Sequence, residues 1–214
     1  MMQDIFRHET SYRGAAAMQT LSQVRFALCG AGAIGSLLAD QLSRQGAQHL
    51  RVIDFDRVQA HNANTQLYRQ EDNGALKVEA LRTHCFRATG LEIEAMAKRL
   101  DEHNIARLLR GVDVVVDALD NSAGRGLLSR YCRESGLACL HLGMNGGYAE
   151  ARWNEDYLVP ADPPTGDACQ VALARSLVLL TVATGSELLL RWALHGRRES
   201  CTITLEDLCI RPAG

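Results

Sequence analysis

Val24-Arg25-Phe26-Ala27-Leu28-Cys29 runs straight into Gly30-Ala31-Gly32-Ala33-Ile34-Gly35, and residues 33–45 follow with apolar positions at helical spacing. A short apolar run, a glycine turn and an amphipathic helix closed by Gly46 form the strand–turn–helix context that a G-x-G-x-x-G motif requires. Glycines permit a tight turn and let a phosphate approach the backbone, while the helix N-terminus offers free N–H groups and partial positive charge. Residues 49–54 predict the next strand, and Asp54 at its end, nineteen residues after Gly35, suits a carboxylate that takes ribose hydroxyls. The turn therefore indicates a nucleotide, without choosing between NAD and ATP.

Outward from this unit the same grammar repeats. Helical patterns fall at 74–87, 102–109 and 122–135, the last closed by Gly136; extended runs fall at 91–97, 112–117 and 138–142. Such alternation predicts an α/β fold: a Rossmann-like, mostly parallel sheet with helices on both faces. Beyond residue 148 the pattern changes. Residues 149–153 alternate as an exposed strand does, an apolar helix is predicted over 171–195, and 200–205 is β-like, which together give a C-terminal antiparallel extension. The whole of 1–214 reads as one domain, with a helical arm over 1–22 and a crossover loop over 158–170.

Composition narrows the class. The 214 residues are 47% hydrophobic and 22% charged with a net charge of -2, so a packed core is expected and a nucleic-acid partner is not. The most apolar run, 177–192, holds Glu187 and Arg191, and Met1-Met2-Gln3-Asp4 lacks the basic flank of a signal peptide. No membrane association and a cytoplasmic location are the expectations. The seven cysteines contain no C-x-x-C pair, so neither a disulfide framework nor a zinc site is predicted.

Four further stretches choose the nucleotide: Asp54-Phe55-Asp56, Asn62-Ala63-Asn64-Thr65-Gln66, Gly74-Ala75-Leu76-Lys77 and Asp117-Ala118-Leu119-Asp120-Asn121. With the glycine turn, in this order, they resemble the ThiF/MoeB/HesA superfamily, whose larger relatives are the ubiquitin-activating enzymes. The resemblance covers about residues 7–187. It implies ATP and Mg2+ as cofactors and adenylation of a ubiquitin-like or sulfur-carrier protein at its C-terminal glycine, by a homodimer that serves a conjugating enzyme in some pathways. It further implies that Gly30, Gly32, Ala33 and Gly35 cradle the nucleotide, that Asp54 holds the ribose and that Asp56 belongs to the same nucleotide site. Asn62 and Gln66 would then lie near the phosphates, Lys77 would contact them, Asp120 would serve Mg2+, and Asn121 would support the turn. A sister reaction in the superfamily adenylates a modified tRNA base.

Two departures stand out. Thr65 occupies the place of the family's arginine, and a hydroxyl cannot stabilise phosphate charge as a guanidinium does. Arg69 lies near in sequence, and Arg7 or Arg13 can reach in from a partner subunit. The structural zinc motifs of many relatives are missing as well. Cys169, between Pro163-Pro164-Thr165-Gly166-Asp167 and the long helix, sits where the resemblance implies a thioester-forming cysteine, with Arg175 about two turns on. Its alternative is a buried thiol, and His141 reads as a structural histidine at a strand tip. An NAD(P)-dependent oxidoreductase is the competing enzyme class, although Tyr68, Tyr131, Tyr148 and Tyr157 all lack a lysine four residues on. A non-catalytic subunit of an activating-enzyme heterodimer is the third reading.

Overall fold

A computed structural model describes residues 5–161 and 172–213. Its centre is an eight-stranded sheet of order β3-β2-β1-β4-β5-β6-β7-β8. β1 (Arg25–Cys29), β2 (His49–Ile53), β3 (Glu94–Met96), β4 (Val114–Asp117) and the start of β5 (Ala138–Asn145) run parallel; β6 (Tyr148–Trp153), β7 (Cys201–Thr204) and β8 (Cys209–Pro212) continue antiparallel. The chain leaves β1 for β2 and β3, then returns to β4 on the other side of β1, so the order reverses between β1 and β4. That reversal opens a crevice at the carboxyl ends of the strands. Register fixes its rim: Cys29 pairs with Ile53 on one side and Asp117 on the other, so Gly30, Asp54 and Ala118 leave the sheet at one level.

Alternation along β1 divides the core. Phe26 and Leu28 face the layer of α3 (Ala33–Arg44), α5 (Lys77–Thr89) and α8 (Arg175–His195). Ala27 and Cys29 face the layer of α6 (Ile105–Leu108) and α7 (Ser122–Ser135). The arm before β1 forms α1 (Arg7–Arg13) and α2 (Ala15–Gln23), tied to α8 by Arg13 Nη2 donating to Glu187 Oε2 at 2.9 Å.

Several boundaries differ from expectation. The helix expected from 74 begins at Lys77, because Gly74 adopts φ +86° and Leu76 bridges Arg57 in a β contact. The 102–109 helix shrinks to one turn, Ile105–Leu108, and the expected helix from 171 is described from Arg175. Residues 149–153 do not form an exposed strand. β6 lies between β5 and β7, with Ala149, Ala151 and Trp153 buried beneath α8. β8 was not expected at all. α8 has 21 residues, long and apolar enough to cross a membrane by length and composition, but Leu177, Val178, Leu188, Leu189 and Leu190 are buried inside the fold. Burial of each contributes about 1.5–3 kcal/mol, which accounts for the apolar stripe as core packing.

Candidate active site

The glycine turn is dictated by sterics on two sides. At Gly30, with φ +99°, a Cβ would stand 2.6 Å from the Ala118 carbonyl oxygen, and at Gly35 one would stand 1.9 Å from the Gly30 oxygen. Gly32 is different. Nothing lies within 4 Å of its Cβ position, and it is the N-cap of α3 with no side-chain cap. Ala33 opens α3 beside it. The first backbone N–H groups of α3 therefore have no side-chain cap, which leaves them for an anion.

Asp54 closes the rim. Its Oδ2 accepts the Ala31 N–H at 2.7 Å and its Oδ1 accepts the Asp56 N–H at 2.7 Å. Burial pushes this carboxyl above the usual carboxylate range, against the downward pull of the Ala31 hydrogen bond and the Lys77 charge. Lys77 is buried, donates its backbone N–H to the Asp56 carbonyl at 2.9 Å, and holds Nζ 3.0 Å from Asp56 Oδ2. A fixed ammonium beside an open anion cradle is an electrostatic device.

The 62–68 segment, which begins with the one-turn α4 (Asn62–Thr65), is stitched to the turn. Leu67 N–H donates to Ser36 Oγ at 3.1 Å, and the buried Tyr68 hydroxyl donates to the Ala31 carbonyl at 2.8 Å. Asn62 is buried and spends its Oδ1 on the Gln59 N–H at 2.8 Å, so it locks a local turn. Gln66 Oε1 is buried with no partner among the described residues. Across the crevice, Asn121 N-caps α7 by accepting the Gly124 N–H at 2.8 Å and donates Nδ2 to Asp120 Oδ1 at 3.3 Å, while Asp120 itself is exposed.

Beneath Asp120 lies a buried polar network. Asp117 Oδ1 accepts the Leu119 N–H at 3.0 Å, and its Oδ2 lies 2.7 Å from His141 Nδ1 and 3.6 Å from Arg125. His141 Nε2 reaches Asn154 Oδ1 at 2.7 Å, and the ring stacks on Tyr157 at 3.6 Å. Fully buried between these groups, His141 is structural. Arg125 donates to the Tyr157 hydroxyl at 3.1 Å and to the Leu142 carbonyl at 2.9 Å, fixing the chain that leaves β6.

The structure thus gathers Gly30, Gly32, Ala33, Gly35, Asp54, Asp56 and Lys77 around one crevice, with Asp120 and Asn121 on its far rim. Cys169 lies outside the described residues. Cys29 and Cys139 are core, their thiols raised by burial, and Cys85 is pushed up to about 12 by burial. Arg175 is not two turns into its helix; it is the first residue of α8 and donates Nη1 to the Asn64 carbonyl at 3.0 Å. Sequence reasoning missed Arg125, Tyr68 and Asn154, whose roles arise from contacts across 13 to 37 residues that no local pattern signals. An open depression of about 200 Å³ lies at the opposite end of the strands, but its Arg25 and Arg51 are already paired with Asp113 and Glu94.

Residues 7–175 match the ThiF family. The chain belongs to the ThiF family. Among curated relatives, this ThiF-family chain is 34% identical over 113 residues to the adenylyltransferase and sulfurtransferase MOCS3 of Drosophila sechellia, covering 49% of this chain and 24% of that protein. It is 32% identical over 133 residues to the SAMP-activating enzyme E1 of Haloferax volcanii, covering 60% and 48%. It is 28% identical over 162 residues to the tRNA threonylcarbamoyladenosine dehydratase of Haemophilus influenzae, covering 70% and 61%. The chain therefore spans less than two thirds of the length of each of these relatives. Among solved structures, E. coli MccB with ATP superposes at a TM-score of 0.81 with 14% identity, over 100% of this chain and 70% of that one. PaaA superposes at 0.79 with 17% identity, over 99% and 72%. At these identities the likeness shows the fold.

Proposed function

We propose that this chain binds ATP with its phosphates over Gly32 and adenylates the C-terminal glycine carboxylate of a ubiquitin-like or sulfur-carrier protein. The observation that carries the reading is Lys77, held 3.0 Å from Asp56 at the rim of the glycine turn. A nicotinamide dinucleotide needs no such fixed cation, whereas a reacting triphosphate does. In the reaction a carboxylate oxygen attacks the α-phosphorus, the bond to the bridging oxygen breaks, and pyrophosphate leaves with the negative charge. The chain's groups position and neutralise; none must exchange a proton with the reacting carboxylate. Asp54 keeps lone pairs for the ribose beyond its two backbone hydrogen bonds, and Lys77 steadies the phosphates.

Magnesium is usually held by one or two carboxylates together with substrate phosphates. The described residues contain no group of three or more metal-ligating side chains, and Asp120 stands exposed on the rim beside Asn121. That donor set fits an ion that arrives with the triphosphate, which Asp120 and the phosphate oxygens would hold, and which would offset charge on the departing pyrophosphate. Cys169 follows in the proposal as acceptor: its thiolate attacks the acyl carbon, a thioester forms and AMP leaves. The active form is proposed to be a homodimer, with a conjugating enzyme downstream where the carrier modifies proteins.

Carrier-dependent exchange of labelled pyrophosphate into ATP tests this reading. Exchange that needs a carrier ending in glycine and vanishes in Lys77→Ala supports it; a product mass of carrier plus Cys169-linked enzyme, absent in Cys169→Ser, supports the thioester step. Thr65 favours a second reading, a non-catalytic partner subunit. ATP binding without exchange for any carrier, and with exchange restored only by a second ThiF-family chain, supports that alternative.

A further inference from the structure

Position 65 carries a hydroxyl, and two arginines that the sequence offers in its place are occupied elsewhere: Arg69 pairs with Glu71, and Arg13 with Glu9 and Glu187. The fold brings a different arginine to this place. Arg175 donates Nη1 to the carbonyl of Asn64, the residue before Thr65, across 111 residues of sequence at 3.0 Å. That segment borders the anion cradle, since Leu67 and Tyr68 hydrogen-bond Ser36 and Ala31 of the glycine turn.

The guanidinium is uncommitted in charge. It is exposed, it pairs with no carboxylate among the described residues, and the first turn of α8 contains no acidic residue. A carbonyl satisfies one of its five N–H donors and offsets none of its charge. A forked donor in that state suits a phosphate group, which takes two parallel hydrogen bonds. Lys77 contributes a point charge from the Asp56 side of the turn, and Arg175 stands on the side of the 62–66 segment.

We infer that Arg175 is a phosphate-binding residue of this site: with ATP bound, its guanidinium takes oxygens of the β- and γ-phosphates, supplying from α8 the charge that position 65 lacks. The inference rests on the ATP reading above and adds a specific residue to it.

Titration calorimetry of ATP·Mg2+ and of AMP, on wild type, Arg175→Ala, Arg175→Lys and Arg175→Ala with Thr65→Arg, tests it. Loss of a charged hydrogen bond predicts ATP binding weakened about ten- to a hundredfold in Arg175→Ala, with AMP binding unchanged because AMP lacks the β- and γ-phosphates. Arg175→Lys should fall between, and Thr65→Arg should restore ATP affinity to the alanine variant. Equal weakening of ATP and AMP would mark a structural role and overturn the inference, as would unchanged ATP affinity in Arg175→Ala. Wild type that binds AMP and ATP while Arg175→Ala behaves identically leaves the ATP reading standing; wild type that binds neither nucleotide overturns both.

Discussion

Asp54 shows how one side chain serves fold and site together. Its two oxygens hold the Ala31 and Asp56 N–H groups, yet burial raises its pKa, so its ionised form is tolerated at a cost. A carboxyl whose folded pKa is raised contributes stability that is complete below its unfolded pKa of about 3.9 and is lost as pH rises through the folded value. Denaturant titrations of wild type and Asp54→Asn from about pH 4 upward should therefore show wild type losing ground to the variant as pH rises. A parallel pair of curves would count against the raised pKa. Asp120 makes the opposite case: it is exposed, with Asn121 Nδ2 at 3.3 Å. Asp120→Ala should leave the unfolding free energy within about 0.5 kcal/mol of wild type while removing stabilisation by ATP·Mg2+ in a thermal melt.

Elements meet where neither determines the outcome alone. Between β1 and α3, Gly30→Ala forces a Cβ to 2.6 Å from the Ala118 oxygen at φ +99°, so destabilisation well above about 1 kcal/mol is expected in a chemical melt. Gly32→Ala meets nothing within 4 Å; it should fold normally and lose ATP affinity instead. Below the rim, Asp117→Ala strips His141 and Arg125 of their shared carboxylate, and breaking a buried ion pair costs about 3–5 kcal/mol. Strand–turn–helix units of this kind were legible because their signals are local: β1, α3 and α7 appear where periodicity, glycines and an Asn cap place them. α6 was legible in place but not in length, since only one turn of the expected 102–109 helix forms, and β8 was not legible, since an exposed edge strand carries too few periodic residues. The N-terminal shift of α5 from 74 to Lys77 came from Leu76 pairing with Arg57, a contact outside any sequence window.

At the scale of the whole molecule, the topological reversal between β1 and β4 concentrates the glycine turn, Asp54, Lys77 and Asp120 in one crevice. The ordered motifs made those residues legible. The buried support was not: Asp117–His141–Asn154, Arg125–Tyr157 and Tyr68–Ala31 join segments distant in sequence, and their partners follow from the fold. Arg175 belongs to the same class, since only the packing of α8 brings it to Asn64. The central claim is that this crevice takes a nucleoside triphosphate. The most direct measurement is the thermal unfolding of the wild-type chain with ATP·Mg2+ or NAD+ at saturating concentration. A ligand at 100 times its dissociation constant adds about 2.7 kcal/mol, which raises the midpoint by about 5–11 °C for a domain of this size. The account predicts that rise with ATP·Mg2+ and none with NAD+; a rise with NAD+ alone would contradict it.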